Sequence, residues 1–546
     1  MKRKTKVRLL GIVRKTIKNY QKGKEMNKFM KRTTIGSVMQ GMCYGFAALL
    51  FAASCANDDV AQDERQKKDN IPAGTTIFTG TSQPDATTRT AILNHTKGTG
   101  ASVNWNSTDK IWVKDDAGTW QQSATATIPS AANQSFAKFS LSGTYTGASH
   151  DIIYTNTAVT GSQPQVEIKA TQTQSAPNNF DHAGESGDCG IATGNKAGND
   201  YTFTLNHKAS YLCFIPRTNN EYVKRSTLIK VELMSDDEIA GTYNMAADGT
   251  LTLASGGSKT ITVTTGSGFA IDNTADDMSK NATYAVVAPG THTFRIRYWL
   301  RNTTDNPDGA IEGTVSKIVT LNFTAGSIHD ITANLNPHDY DGMYYMWDAQ
   351  QNFWAGHEWN SANPWQPVLN NNSNSNYARG NTDLRYYHEG SGSPFNATQS
   401  CATLPNVNEM TWYAAKGAPR WDADELWTTM GHLYKGGMWF KKKANISGYN
   451  PNTAVDGTDW RTNGDGNSWS VSQTLPSAAD ANNYFYLPAL GFYNGSLIFV
   501  GNGGGYWSSS AYPWNSATAY YLGFDSDNVN VMGYDRDHGF RAGVFQ

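Results

Sequence analysis

Cysteine is scarce in this chain, with 5 among 546 residues. No Cys-x-x-Cys pair and no Cys/His cluster at metal-ligand spacing occurs, so the sequence points to no metal and no cofactor. It also lacks a His-Glu-x-x-His, a Gly-x-Ser-x-Gly and a phosphate loop, and hydrolytic or nucleotide chemistry has no residues to run on. Charged side chains are only 17% of the total, and helical periodicity is sparse. A membrane-spanning run is missing too: the apolar stretch from Gly45 to Cys55 is short and ends in small residues. What abounds is glycine, 51 in all, with many Thr, Asn and Ser. That is the composition of an all-β chain of short strands and turns.

The start of the chain is basic from Lys2 to Arg32, and the apolar stretch follows it. This order, closing on Ala52-Ala53-Ser54-Cys55, resembles a bacterial lipoprotein signal. The resemblance implies removal of residues 1–54, acylation of Cys55 and attachment to the outer membrane at the cell surface through the acyl chains. Residues 1–54 carry 13 of the 45 Lys and Arg but one of the 47 Asp and Glu; the remainder holds 32 basic and 46 acidic side chains, a net of −14. Such a balance argues against nucleic acid as a partner. Residues 55–70 are polar and read as a flexible tether. Cys189 and Cys213 could form a bridge in an exported protein, though buried free thiols are the preferred reading.

Two strand-rich modules are expected next, 71–216 and 217–337. The first shows alternating runs at Thr75–Thr79, Lys110–Val113, Phe136–Leu141 and Tyr201–Leu205, the second at Leu228–Leu233, Ile239–Tyr243 and Asp330–Leu335. The pieces Thr88-Arg89-Thr90, Val103-Asn104-Trp105-Asn106 and Leu205-Asn206-His207-Lys208-Ala209-Ser210-Tyr211 resemble fimbrillin-like pilins of Bacteroidales. The family implies paired β-sandwiches and assembly with other pilin subunits. A cut after an Arg, here Arg89 or Arg65, removes the first strand, and a donor strand from the next subunit fills the groove. Arg89 is the better placed, because a strand at 75–80 leaves with the cut piece. Here a whole third domain follows the sandwiches where a short donor strand would stand, which suits the tip of a filament.

Residues 338–546 hold 12 of the 16 Trp. Asn406 and Gly417 bracket an expected helix over Val407 to Lys416, and a second helix is expected from Asp422 to Leu433, with acids in its first turn. Toward the end, Tyr520, Leu522 and Phe524 share one parity, as do Val529 and Val531, and Asp525-Ser526-Asp527-Asn528 reads as the turn between two strands. The pieces Leu426–Phe440, Leu487-Pro488-Ala489-Leu490-Gly491, Tyr506-Trp507-Ser508-Ser509-Ser510, Asn528-Val529-Asn530-Val531 and Gly539-Phe540-Arg541 resemble a C-type-lectin-like domain. They are also similar to the variable region of proteins diversified by retroelements, in which Asn codons are miscopied. Positions of residue types reachable that way include Ala511, Pro513, Asn515, Asp525, Asp527, Asn528, Asn530, Tyr534, Asp535, Asp537 and His538. Adding Tyr512, Trp514 and Met532 completes the expected ligand-binding surface, since aromatics supply contact area at low entropic cost.

Several motifs point elsewhere. Gln83-Pro84-Asp85 matches a calcium-lectin triplet but lies in the wrong domain. Asn463–Asn467 and Asp525–Asp527 could offer oxygens to calcium, and solvated turns are the simpler reading. Cys401 stands alone, and His357-Glu358 and His432 are isolated. Arg536 is expected to brace Asp535 and Asp537. The fold class is therefore mainly β: two fimbrillin-like sandwiches, then an α+β lectin-like domain. The function expected is that of a non-enzymatic pilus-tip adhesin for an external protein or glycan; a stalk or anchor pilin, or a plain surface lipoprotein, is the alternative, and a glycan-acting enzyme comes last.

Overall fold

The computed structural model describes residues 74–81, 91–93, 95–99, 102–130, 134–387, 396–543 and 545–546. Cys55, Arg65, Arg89 and the Gln83–Asp85 triplet lie outside the described residues. The fold is mainly β, as expected.

The first sheet runs, edge to edge, Trp120–Gln122, Trp112–Lys114, Ser149–Tyr154, Gly190–Ala197, Asp200–Thr204, Thr76–Thr81, Phe136–Leu141. Thr76–Thr81 is an interior strand, parallel to Asp200–Thr204 and antiparallel to Phe136–Leu141. Its Phe78 is fully buried and stacks on Tyr201 with ring centres 4.6 Å apart. Two residues on, a Cβ at Gly80 would stand 2.8 Å from Phe203 and 3.0 Å from Trp105, so only glycine lets this strand seat against the core rings.

A second core packs Thr227–Ser235, Thr260–Ala270, Gly290–Asn302 and Ile311–Phe323 against a sheet of Thr283–Val287, Ser210–Arg217 and Ile328–Asn334. Ser210–Arg217 is the middle strand of that sheet, and its residues 210–216 are all buried. A strand covered on both faces reads as an unbroken apolar run, as Tyr211-Leu212-Cys213-Phe214-Ile215 does. Strands from Gln165 onward join this body: Gln165–Ile168 pairs with Ala240–Met245, and Thr171–Thr173 with Thr260–Ala270. The alternation Gln172-Thr173-Gln174 turns both glutamines the same way. The Gln172 amide donates to Val286 O at 2.8 Å and its Oε1 accepts from Val286 N; Gln174 does the same with Ala282 O and Tyr284 N. Two side chains thus supply the hydrogen bonds that a neighbouring strand would give, which leaves no bare edge to bury.

The C-terminal region is joined to this body through a continuous sheet: Ile311–Phe323 meets Arg420–Thr429 at Thr314 and Glu425, and Arg420–Thr429 pairs with His432–Lys441. The helix expected over Asp422–Leu433 is therefore not there. Trp421, Trp427, Thr428 and Thr429 favour a strand. Met430 at φ 46° and Gly431 at φ 80° make the two-residue, left-handed turn of a hairpin. The acids serve a distant partner instead of a helix dipole. Buried Asp422 accepts from Arg297 at 3.1 Å, Asp424 from the same guanidinium at 3.4 Å, and Glu425 from the Ser316 hydroxyl at 2.7 Å.

Val407–Lys416 is the expected helix. The Asn406 side chain accepts from Glu409 N at 3.1 Å while Glu409 Oε2 accepts from Asn406 N at 2.8 Å, a reciprocal cap. Its buried face (Val407, Met410, Tyr413, Ala414) packs on one side of the sheet Gly504–Ala511, Thr518–Phe524, Asn528–Asp535 and Asn467–Ser470. Cys189, Cys213 and Cys401 are buried free thiols.

Candidate ligand-contact surface

The hairpin Thr518–Phe524 and Asn528–Asp535 has two unlike faces. Tyr520, Leu522, Phe524, Val529 and Val531 are buried on the helix side. Asn528 is exposed, and Asn530 and Met532 are half-buried, on the other. Across the ladder Asn530 stands opposite Ser468, Asn528 opposite Ser470, and Met532 opposite Tyr521. Both serines are exposed, so the open face is widened by hydroxyls. The connecting turn closes on itself: Asp525 Oδ1 accepts from Asp527 N at 2.9 Å and Asn528 N at 2.8 Å. The Asn463–Asn467 loop behaves likewise, with Asp465 accepting from Gly466 N and Asn467 from Ser468 N.

That loop is strapped down by the residues expected to contact ligand. Trp514 Nε1 donates to Asn463 O at 2.8 Å and Tyr512 OH to Gly464 O at 3.2 Å; buried Tyr520, from the sealed face, also holds the loop by accepting from Asp465 N at 3.1 Å. Trp514 lies against Gly464, where a Cβ would fall 1.8 Å from its Nε1. It is nevertheless 71% exposed, the most open large apolar side chain among the described residues. Pro513 beside it is half-buried, and Asn515 is exposed with its Oδ1 accepting from Ala517 N at 2.9 Å.

At the end of the hairpin away from the Asp525–Asp527 turn, the same end as Tyr512, the rings close up. Tyr534 and His538 are edge-to-face at 4.9 Å, and both pack on Phe492, at 6.0 and 6.2 Å. Phe492 in turn stacks on Phe499, which is 55% exposed and held at φ 65°, an unusual backbone for a bulky side chain. His538 is therefore mostly covered, its side chain only 11% exposed. Its Nδ1 pairs with Asp537 at 3.0 Å, and that contact holds the Asp537 carboxyl below its ordinary value. Burial, then Asp535, pushes the Tyr534 phenol up. Asp535 and Asp537 are exposed.

Arg536 does not brace those carboxylates. It is 1% exposed, its Nε donates to Thr518 O at 3.0 Å, and its guanidinium lies 4.3 Å over the Trp347 ring. Arg536 stands just past the end of Asn528–Asp535, and its hold on Thr518 O and the Trp347 ring pins the hairpin while Asp535 and Asp537 stay exposed. Phe492 and Phe499 were not singled out from the sequence. The signal was present, two Phe flanking the Asn494-Gly495 turn between Leu490–Asn494 and Ser496–Val500.

No protein-family model matches the chain, and no curated protein does. Among solved structures, a fimbrial protein from Bacteroides ovatus aligns over 86% of this chain and 98% of its own at 10% identity, TM-score 0.23. A candidate cell adhesion protein from the same species aligns over 48% and 91% at 13% identity, TM-score 0.29, and one from Bacteroides uniformis over 45% and 99% at 16% identity, TM-score 0.25.

Proposed function

We propose that this protein is a cell-surface adhesin of the fimbrial type, carried at a filament tip, that binds an external protein or glycan through its C-terminal hairpin. The supporting observation is the two-faced hairpin: one side sealed by the capped helix, the other presenting Asn528, Asn530, Met532, Ser468 and Ser470 beside exposed Trp514 and Phe499. Such a face accepts side-chain changes without disturbing the core beneath it, which is what retroelement diversification would need. It offers contact area and polar groups and does no chemistry.

The interior place of Thr76–Thr81 supports assembly by strand exchange. Its departure after a cut at Arg89 would leave the facing edges of Phe136–Leu141 and Asp200–Thr204 unpaired, and a slot lined by Trp105, Phe139, Tyr201 and Phe203. A donor strand from another subunit would restore both. In this reading acylated Cys55 holds the precursor at the outer membrane before processing.

Attachment of cells carrying the wild-type chain, compared with Trp514→Ala/Asn528→Ala/Asn530→Ala, tests the contact surface. Loss of about tenfold or more in attachment is expected if these residues include the anchors. Unchanged attachment would leave the last domain a structural role and favour a stalk or anchor subunit.

A further inference from the structure

Three chemically different ligand groups, from segments far apart in sequence, meet inside the second sandwich. Cys213 and Asp330 are register partners on the adjacent parallel strands Ser210–Arg217 and Ile328–Asn334. Partners in a parallel ladder present side chains to one face. His95, from the segment 95–99, closes over them. Its Nε2 lies 2.8 Å from Asp330 Oδ1, and Gly98 N donates to Asp330 Oδ2 at 2.7 Å. The thiol, the imidazole and the carboxylate each place one donor atom within 4.8 Å of the others.

These positions are not explained by packing alone. Cys213 is 0% exposed and shares its sheet face with Tyr211, Ile215, Tyr284 and Val286, where an apolar residue would serve the core. His95 has a side chain of 0% exposure, its Nδ1 meets no hydrogen-bond partner, and its ring stands edge-on to Tyr284 at 6.2 Å. Tyr284 also partners Cys213 in register; its hydroxyl donates to Asn178 Oδ1 at 2.5 Å and is a hydrogen-bond neighbour of the thiol, as is the Asp330 carboxylate. Bringing a buried imidazole and a carboxylate to a buried thiol costs desolvation, and one recurring return for that cost is a metal ion.

We propose that His95, Cys213 and Asp330 bind one divalent transition-metal ion of the zinc class, which fastens segment 95–99 to the second sandwich. A mixed nitrogen, sulfur and oxygen set suits Zn²⁺, with water in the remaining position, and does not suit Ca²⁺ or Mg²⁺, which take oxygen ligands. The same segment is tied by Lys97 to Asp276, a carboxylate shared with Arg217 at 2.5 Å, so the ion adds to an existing clasp. Sequence spacing could not show the site, because its ligands stand more than a hundred residues apart.

The test uses the full chain, stripped with a chelator and titrated with Co²⁺. One equivalent is expected to give the thiolate-to-cobalt charge-transfer band and the visible bands of a four-coordinate ion, and Zn²⁺ is expected to displace both. Cys213→Ser should abolish the charge-transfer band, and His95→Gln and Asp330→Asn should each weaken Co²⁺ binding by about tenfold or more. No charge-transfer band at one equivalent, or a band that survives Cys213→Ser, would overturn the assignment. Should a variant fail to fold, zinc X-ray absorption on the wild-type chain decides: one sulfur with nitrogen and oxygen neighbours supports the site, and a shell with no sulfur or with several rejects it.

Discussion

The second sandwich and the C-terminal domain solve the same problem with different side chains. The sandwich core is largely aliphatic and strand-borne, with Leu212, Ile215, Val231, Leu233, Ile261, Val263 and Ile296 all fully buried. The C-terminal domain uses rings with polar tails, and the tails reach loop carbonyls. Trp412 Nε1 donates to Thr453 O, Tyr493 OH to Pro367 O, Tyr434 OH to Val368 O and Tyr413 OH to Gln546 O, between 2.5 and 3.3 Å. Long irregular segments carry backbone groups that no ladder satisfies. Buried Trp and Tyr supply apolar area and a donor together, so they hold such loops where Leu or Val could not. The sandwich is ordered by its ladders; the C-terminal domain is ordered by its aromatic tails.

This contrast can be broken from either side. The largest effect is expected in the sandwich. Phe214→Ala would empty a fully buried site against Tyr298 and cost about 3–5 kcal/mol, read from the urea midpoint. A comparable loss is expected on acidification. His182 is buried, its Nδ1 2.8 Å from the Ser186 hydroxyl, and burial lowers its pKa to about 4 against the opposing pull of Asp181 and Glu185. The unfolded chain binds the proton more readily below pH 6.5, so this stabilisation is complete above 6.5 and falls as the pH approaches 4. The difference amounts to about 3 kcal/mol, and His182→Gln should flatten that part of the stability curve. Tyr493→Phe probes the other strategy: it keeps the ring, leaves the loop carbonyl Pro367 O without its donor, and should cost about 1–3 kcal/mol. A cost near zero would mean that the tails decorate loops already fixed by packing.

How much could be read beforehand follows the same division. Strands of the sandwiches were legible because alternation is local: Phe136–Leu141 shows it in six residues, and the structure buries Ala137, Phe139 and Leu141. The helix at Val407–Lys416 was legible because Asn406, Glu409 and Gly417 lie within its own span. The strand Arg420–Thr429 was misread because its acids look like a helix start, while their partner Arg297 stands 125 residues away from Asp422. Arg536 was misread for a related reason, its choice of Trp347 over the neighbouring aspartates being a tertiary fact. On the contact surface, the parity of Val529 and Val531 correctly announced which side is sealed. It could not announce that His538 would be covered by Phe492, or that Trp514 would remain open while tying down the Asn463–Asn467 loop.

The smallest expected effect bears most directly on function. Asn528→Ala and Asn530→Ala remove side chains from the open face and touch no core contact. Each should change stability by no more than about 0.5 kcal/mol, measured by the same urea titration. Val531→Ala on the sealed side of the same strand should cost several times more, since it opens a cavity beneath the helix. Adjacent residues that differ this much would establish that the strand keeps its stability on one face and leaves the other free to vary. If the Asn variants instead unfold the domain as Val531→Ala does, the open face is bound into the fold, and a surface that tolerates sequence change cannot be built there.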